Sequence, residues 1–332
     1  MSETKEAKKA AKAEKKAAKK AKKGSGKNPF RTILAVLLVI AVIGELYIGL
    51  TIKGELADIN KAMVANANTE ESNEVNLTLE PNTYGGYKIE TLADVAKVYN
   101  DAYNKTKAKT AQYKDADGNT QTFYAFLGEE NLTLKEGSLL VDGSSNKIVD
   151  GLVPTILGSA FQPNVNGLPP QANRNPDEDK DDTGASLKES RVVESDIQSA
   201  SAVENADGTV TLTIAPVTTE MSSKGMDPQG HFFNTLGKLD SVVAGISVVS
   251  FPEGDVSQYV KATYEGGTVV VTIDPATGEF TSAEYHMVVN VNVEHASITA
   301  LKDKSASLTL LYDNKFPASD AYLMERRQLV RL

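Results

Sequence analysis

Three histidines and one dense run of acids are the side chains of this sequence best suited to chemistry. His231, His286 and His295 could move protons or ligate a metal. Asp177, Glu178, Asp179, Asp181 and Asp182 could gather a hard cation such as calcium. Neither set has the spacing its chemistry needs. His286 and His295 are an odd number of residues apart, which puts them on opposite faces of a regular strand, and no HExxH pattern occurs. Asp177, Asp179 and Asp181 alternate like the start of an EF-hand loop. Asp182 then stands where the loop's glycine belongs, and Lys188 where its distal glutamate belongs.

Other catalytic signatures are missing as well. No GxSxG elbow occurs, and the only phosphate-loop-like run, Gly24-Ser25-Gly26-Lys27, falls in a low-complexity tail. The chain has no cysteine, which excludes disulfides, thiolate metal sites and cysteine nucleophiles. Carboxylates are abundant, but spacing alone selects no glycosidase-type pair. The sequence therefore assigns no catalytic residue, no metal ligand and no cofactor, and reads as a non-enzyme.

The elements that could position a binding site begin with a charge asymmetry. The net charge of −9 combines a basic start with an acidic remainder. Residues 1–31 carry eleven lysines and Arg31 against Glu3, Glu6 and Glu14, so they sum to +9. Residues 1–29 are a Lys/Ala-rich tail that cannot build a core, suited to anionic inner-leaflet lipid. No aromatic precedes Phe30, so nucleic acid is the poorer partner for this tail. Residues 30–52, FRTILAVLLVIAVIGELYIGLTI, span roughly 34 Å as a helix, enough for a bilayer. The positive-inside rule then puts the N-terminus in the cytoplasm and the rest outside the cell membrane, a single-pass topology. A polar stalk is expected over 53–83, an extracytoplasmic domain over 84–318 and a C-terminal tail over 319–332. Single-pass anchoring, no cysteine and the Lys/Ala tail point to a bacterial cell envelope.

Within that domain, Leu92, Val95, Ala96, Val98, Tyr99 and Tyr103 predict an amphipathic helix over 89–108. Apolar stripes predict further helices over 146–161 and 231–249. Residues 162–190, rich in Pro, Asn and acids, predict an exposed acidic loop. Turns are expected at 115–120, at Asp207-Gly208, at Glu265-Gly266-Gly267 and at Pro275–Gly278, with strands between. The long strand 279–296 alternates clearly. Ala283, Tyr285, Met287, Val289, Val291 and Val293 share one face, and Glu284, His286, Asn290, Asn292 and Glu294 share the other, with Val288 the exception. The fold class expected is α+β: an N-terminal transmembrane helix, then a curved antiparallel sheet packed on two to three amphipathic helices.

This order, a first helix at 89–108 closing with the meander 258–314, resembles the half-barrel lipoprotein carriers of bacterial envelopes, the LolA- and LprG-like group. It covers about 85–316 by order of elements, without a signature motif and without those relatives' lipobox cysteine. The resemblance implies a membrane-anchored binding module for lipid or another apolar ligand. Tyr285, Met287, Val289, Leu308 and Leu310 would line its cavity on the sheet side. Ile148, Leu152, Ile156, Phe232, Phe233 and Leu236 would face them from the helices. The same alternation also fits a filled core. The alternative is then a structural or protein-interaction component of the envelope, with a protein or polymer partner and no small-molecule ligand.

Overall fold

The computed structural model describes residues 75–141, 144–145, 164–170, 174–181, 183–220, 225–235, 249–252, 258–298, 301–327 and 329–332. The basic tail, the apolar run 30–52, the stripe 146–161 and Leu236 lie outside the described residues, as does the side chain of Leu308.

The first elements are a small hairpin, β1 (Asn82–Tyr84) and β2 (Tyr87–Ile89), and helix α1 (Leu92–Lys107). Thr91 and Asp94 form a capping box at the start of α1: the Thr91 hydroxyl accepts from the Asp94 amide, and the Asp94 carboxylate accepts from the Thr91 amide. Val95, Tyr99, Ala102, Tyr103 and Thr106 recur at helical spacing and are buried, so this stripe is what α1 presents to the sheet. At its far end, Lys105 donates to the Thr277 carbonyl and Lys109 pairs with Glu279.

Strands follow in antiparallel pairs. A three-stranded sheet joins β3 (Thr110–Lys114), β4 (Thr120–Tyr124) and the C-terminal β16 (Val330–Arg331). The main sheet has eleven strands. Its long members are β5 (Gly128–Val141), β8 (Ile197–Glu204), β9 (Val210–Pro216), β13 (Thr268–Asp274), β14 (Glu279–Ile298) and β15 (Leu301–Phe316). Short strands complete it: β6 (Ser144–Ser145), β7 (Asn164–Asn166), β10 (Thr219–Glu220), β11 (Val249–Ser250) and β12 (Val260–Tyr264). Burial follows the expected alternation on β14: Ala283, Tyr285, Met287, Val289, Val291 and Val293 are buried, while Glu284, Asn292 and Glu294 are exposed. At 20 residues β14 far exceeds an ordinary strand, and register shifts after Val293 and Ala296 accommodate its bending. His295 sits there with a positive φ of 54°, so the two histidines are not on one regular strand.

The expected α+β fold class is corrected. Among the described residues the chain is mostly antiparallel sheet, sixteen strands against three α-helices, and no helix is long and apolar enough to cross a membrane. Among the described residues only α1 is a substantial helical cover. Of the helix expected over 231–249, residues 236–248 lie outside the described residues; at its start stands the short α2 (Pro228–Phe232), capped by Asp227, after which Phe233 is extended at φ −121°, ψ 159°. Val249 and Ser250 pair as a strand with Ile298 and Ser297. Phe233 and Val249–Ser250, described at the two ends of that run, are extended, a state that apolar periodicity alone does not reveal.

Three boundaries move too. Glu265–Gly267 is not a hairpin turn. β12 and β13 both pair antiparallel with β14, at Val260–Tyr264 and Thr268–Asp274, so the chain jogs and keeps its direction. The folded part starts before Tyr84, because Ser199 holds both the Leu77 amide and the Val75 carbonyl. The C-terminal residues are not a loose tail. Helix α3 (Asp320–Arg327) and β16 bury Leu323 and Leu329 in a second core with Tyr113, Phe123, Tyr124, Leu127 and Val165.

The jog generates a test. A Cβ at Gly267 would lie 2.9 Å from the His286 carbonyl, a backbone atom that cannot step aside. Gly267→Ala should cost about 1–3 kcal/mol in urea unfolding. A change near zero would mean that β13 can slide off β14 at this point.

Candidate functional site

Six of the predicted cavity residues fall among the described side chains: Phe232, Phe233, Tyr285, Met287, Val289 and Leu310. All six belong to one buried cluster. They touch one another and α1. The Phe233 ring stands edge-on to Tyr285 at 6.3 Å between centroids, and Phe232 stands edge-on to Tyr99 at 5.5 Å. Tyr99 and Tyr285 share a hydrogen bond of 3.0 Å between their hydroxyls in the middle of this core. Phe232, Phe233, Met287 and Val289 have 0% exposure, so no void large enough for a water molecule touches them.

The most unusual chemistry lies where α1 ends. Tyr99, Tyr103 and Lys107 follow each other at four-residue steps, and the buried stripe therefore carries a lysine at its last turn. The Lys107 and Asp179 side chains are both completely buried, with Nζ 2.7 Å from Oδ2. Nζ also donates to the Tyr103 hydroxyl at 2.7 Å and the Leu187 carbonyl at 2.8 Å. The Tyr124 hydroxyl donates to Asp179 Oδ2 at 2.7 Å. Lys107 lies over the Tyr103 and Tyr124 rings, at 5.2 and 5.3 Å from their centroids. Tyr103 belongs to the main core and Tyr124 to the second, so this ion pair is the junction between them. Burial pushes the Lys107 ammonium below its ordinary range, against the opposite pull of Asp179. Burial likewise pushes the Tyr103 and Tyr124 phenols up, helped by the negative charge of Asp179.

The acidic segment is thus only partly a solvated loop. Asp177 and Glu178 are exposed, Asp179 and Asp181 are buried, and Asp182 lies outside the described residues. Asp181 Oδ1 accepts from the Thr183 hydroxyl and from the amides of Thr183 and Ala185, while Oδ2 pairs with Arg191 at 2.9 Å. Burial pushes its carboxyl up, but these hydrogen bonds outweigh burial and hold it at about 2. The two acids therefore close the segment down onto the protein instead of gathering a cation. Among the described residues no group of three or more His, Asp or Glu could hold a metal.

The histidines have partners of their own. His231 Nδ1 lies 2.7 Å from the buried Asp196, whose carboxylate also accepts from the Val193 amide. His286 faces Asp313 across β14 and β15 on the outer side of the sheet. Beside them, Asn290 donates to Glu265 at 2.6 Å and accepts from Thr309 at 2.8 Å. A second buried polar cluster joins Asn166 to Glu130, and burial with the Glu130 charge pushes the nearby Tyr312 phenol up. Lys107 and Asp179 were legible only as a stripe that runs one turn too far and as part of a charge run.

Acid stability tests the closed segment. A carboxyl held at about 2, against an ordinary 3.8, stabilises the fold fully above pH ~4 and loses that contribution as pH falls towards 2. Asp181→Asn should lower stability at neutral pH and flatten the fall in urea-unfolding stability between pH 4 and 2. An unchanged slope would remove Asp181 from the acid response.

No family model, no curated protein and no solved structure matches this chain.

Proposed function

We propose that this is a structural, protein-interaction module of a cell envelope, which works from the outside of its sheet and holds no small-molecule ligand. The observation that carries this reading is the zero exposure of Phe232, Phe233, Met287 and Val289: these expected lining residues are packed against other side chains and face no open space. The carrier reading needs those same side chains to line a hollow. The outer face supports the proposal from the other side. Glu284, His286, Asn290 and Asn292 on β14, with Thr309, Asp313 and Lys315 on β15, form a mainly polar face held by cross-strand pairs and interrupted by the apolar pair Val288–Leu311. Such a surface suits a hydrated partner, a protein or a polymer.

Native mass spectrometry of the full chain, before and after addition of a fluorescent fatty acid, tests the reading. The expected result is an apo mass with no uptake. A photo-crosslinking side chain at the exposed Asn292 should then capture a protein or polymer that the same group at the exposed Lys88 does not. Stoichiometric lipid, lost on denaturation, would overturn the proposal and restore the carrier.

A further inference from the structure

We propose that Lys107 and Asp179 are a modification site, where the lysine amine and the aspartate carboxyl condense within the chain to an isopeptide bond. Four observations meet at this pair. Both side chains are wholly buried, and Nζ sits 2.7 Å from Oδ2, a contact that holds the amine against the carboxyl group whose carbon it would attack. The Tyr103 hydroxyl and the Leu187 carbonyl accept from Nζ and fix its direction. Tyr103 in turn donates to the Pro169 carbonyl, so its own proton is committed elsewhere. The Tyr124 hydroxyl donates to Oδ2, the oxygen that has to leave.

The chemistry balances without any co-reactant. In a buried pair the separated charges are costly, and the ammonium can hand a proton to Oδ2 to give a neutral amine and a carboxylic acid. The lowered proton affinity of Lys107 favours that transfer. The Nζ lone pair then attacks Cγ of Asp179. The new N–C bond forms, the C–Oδ2 bond breaks, and the second amine proton leaves with Oδ2 as one water molecule. Oδ1 remains as the amide oxygen. As Nζ attacks, negative charge develops on Oδ1, and the Tyr124 hydroxyl, which donates to Oδ2, assists the departure of that oxygen as water. The dry surroundings that make the ion pair expensive also keep water from reversing the product.

The bond would join the last turn of α1 to the acidic segment. It would close a large loop in a chain that has no cysteine and hence no disulfide to do so. It would also convert a junction of two charges into one of a neutral amide.

Intact-mass measurement of the denatured full chain decides the matter. The expected wild-type mass is below the sequence mass by one water, about 18 Da. Peptide mapping should then show a branched peptide containing both residues, with no tryptic cleavage after Lys107. Asp179→Ala should return the full sequence mass, and Asp179→Asn should instead lose ammonia, about 17 Da, through the same attack. A wild-type chain at full sequence mass, with Lys107 and Asp179 in separate peptides, would overturn the proposal. A water loss mapped to a succinimide at an Asp-Gly step, such as Asp207-Gly208, would overturn it equally. The wild-type measurement stands whether or not the variants fold.

Discussion

β14 is hydrogen-bonded along both edges, and the order of the whole molecule follows from that. β15 runs beside it from Phe316 to Leu301, while β13, β12 and β11 succeed one another on the opposite edge. Side chains alternate across a strand, so a slip of one residue would send Tyr285, Met287 and Val289 into water and Glu284 and His286 into the core. Register is therefore fixed on two sides at once. The inward face of β14 sets where α1 must lie, since Tyr99 reaches Tyr285 only from one position. The rings of Phe232, Phe233 and Phe280 then fill the space around those two hydroxyls.

The second constraint is electrical. A lysine taken out of water must be surrounded by acceptors, and Lys107 collects a carboxylate, a phenol and a backbone carbonyl from three separate parts of the chain. Those parts are α1 itself, the segment around Asp179 and the stretch leading to Leu187. The small sheet with Tyr124 closes over the same charge from outside, and α3 with β16 closes over the small sheet. One buried cation thus orders a segment whose composition alone would leave it in solvent.

Where local pattern and global packing agree, the sequence spoke clearly. The capping box at Thr91, the turns at Asp207-Gly208 and Pro275–Gly278, and the two faces of β14 are each set by near neighbours or by a strict period. The pattern failed where packing partners lie far off in the chain. Phe232 and Phe233 look helical because their apolar neighbours recur at helical steps, yet Phe233 is extended and is held by Tyr285. Glu265–Gly267 looks like a hairpin because it is glycine-rich, yet its geometry is dictated by β14 beside it. Lys107 and Asp179 are invisible singly; each gains meaning only from the other. Of the candidate lining, the six described residues do converge, and the alternation that found them could not tell a hollow from a solid.

The pairing of β5 with β15 has a consequence in time. Leu140 finds its partner at Ser305 and Glu129 finds its partner at Lys315, so that edge of β5 stays open until β15 has been made. A ribosome delivers β5 well before β15, and the interval leaves a fourteen-residue strand with unpaired backbone groups in the nascent chain. Cotranslational folding can assemble β8 with β9, whose hairpin is local, but the sheet cannot close behind it. Closure of the sheet is thereby gated by synthesis of β15, and a chain stopped short of β15 carries an open edge ready to pair with another copy.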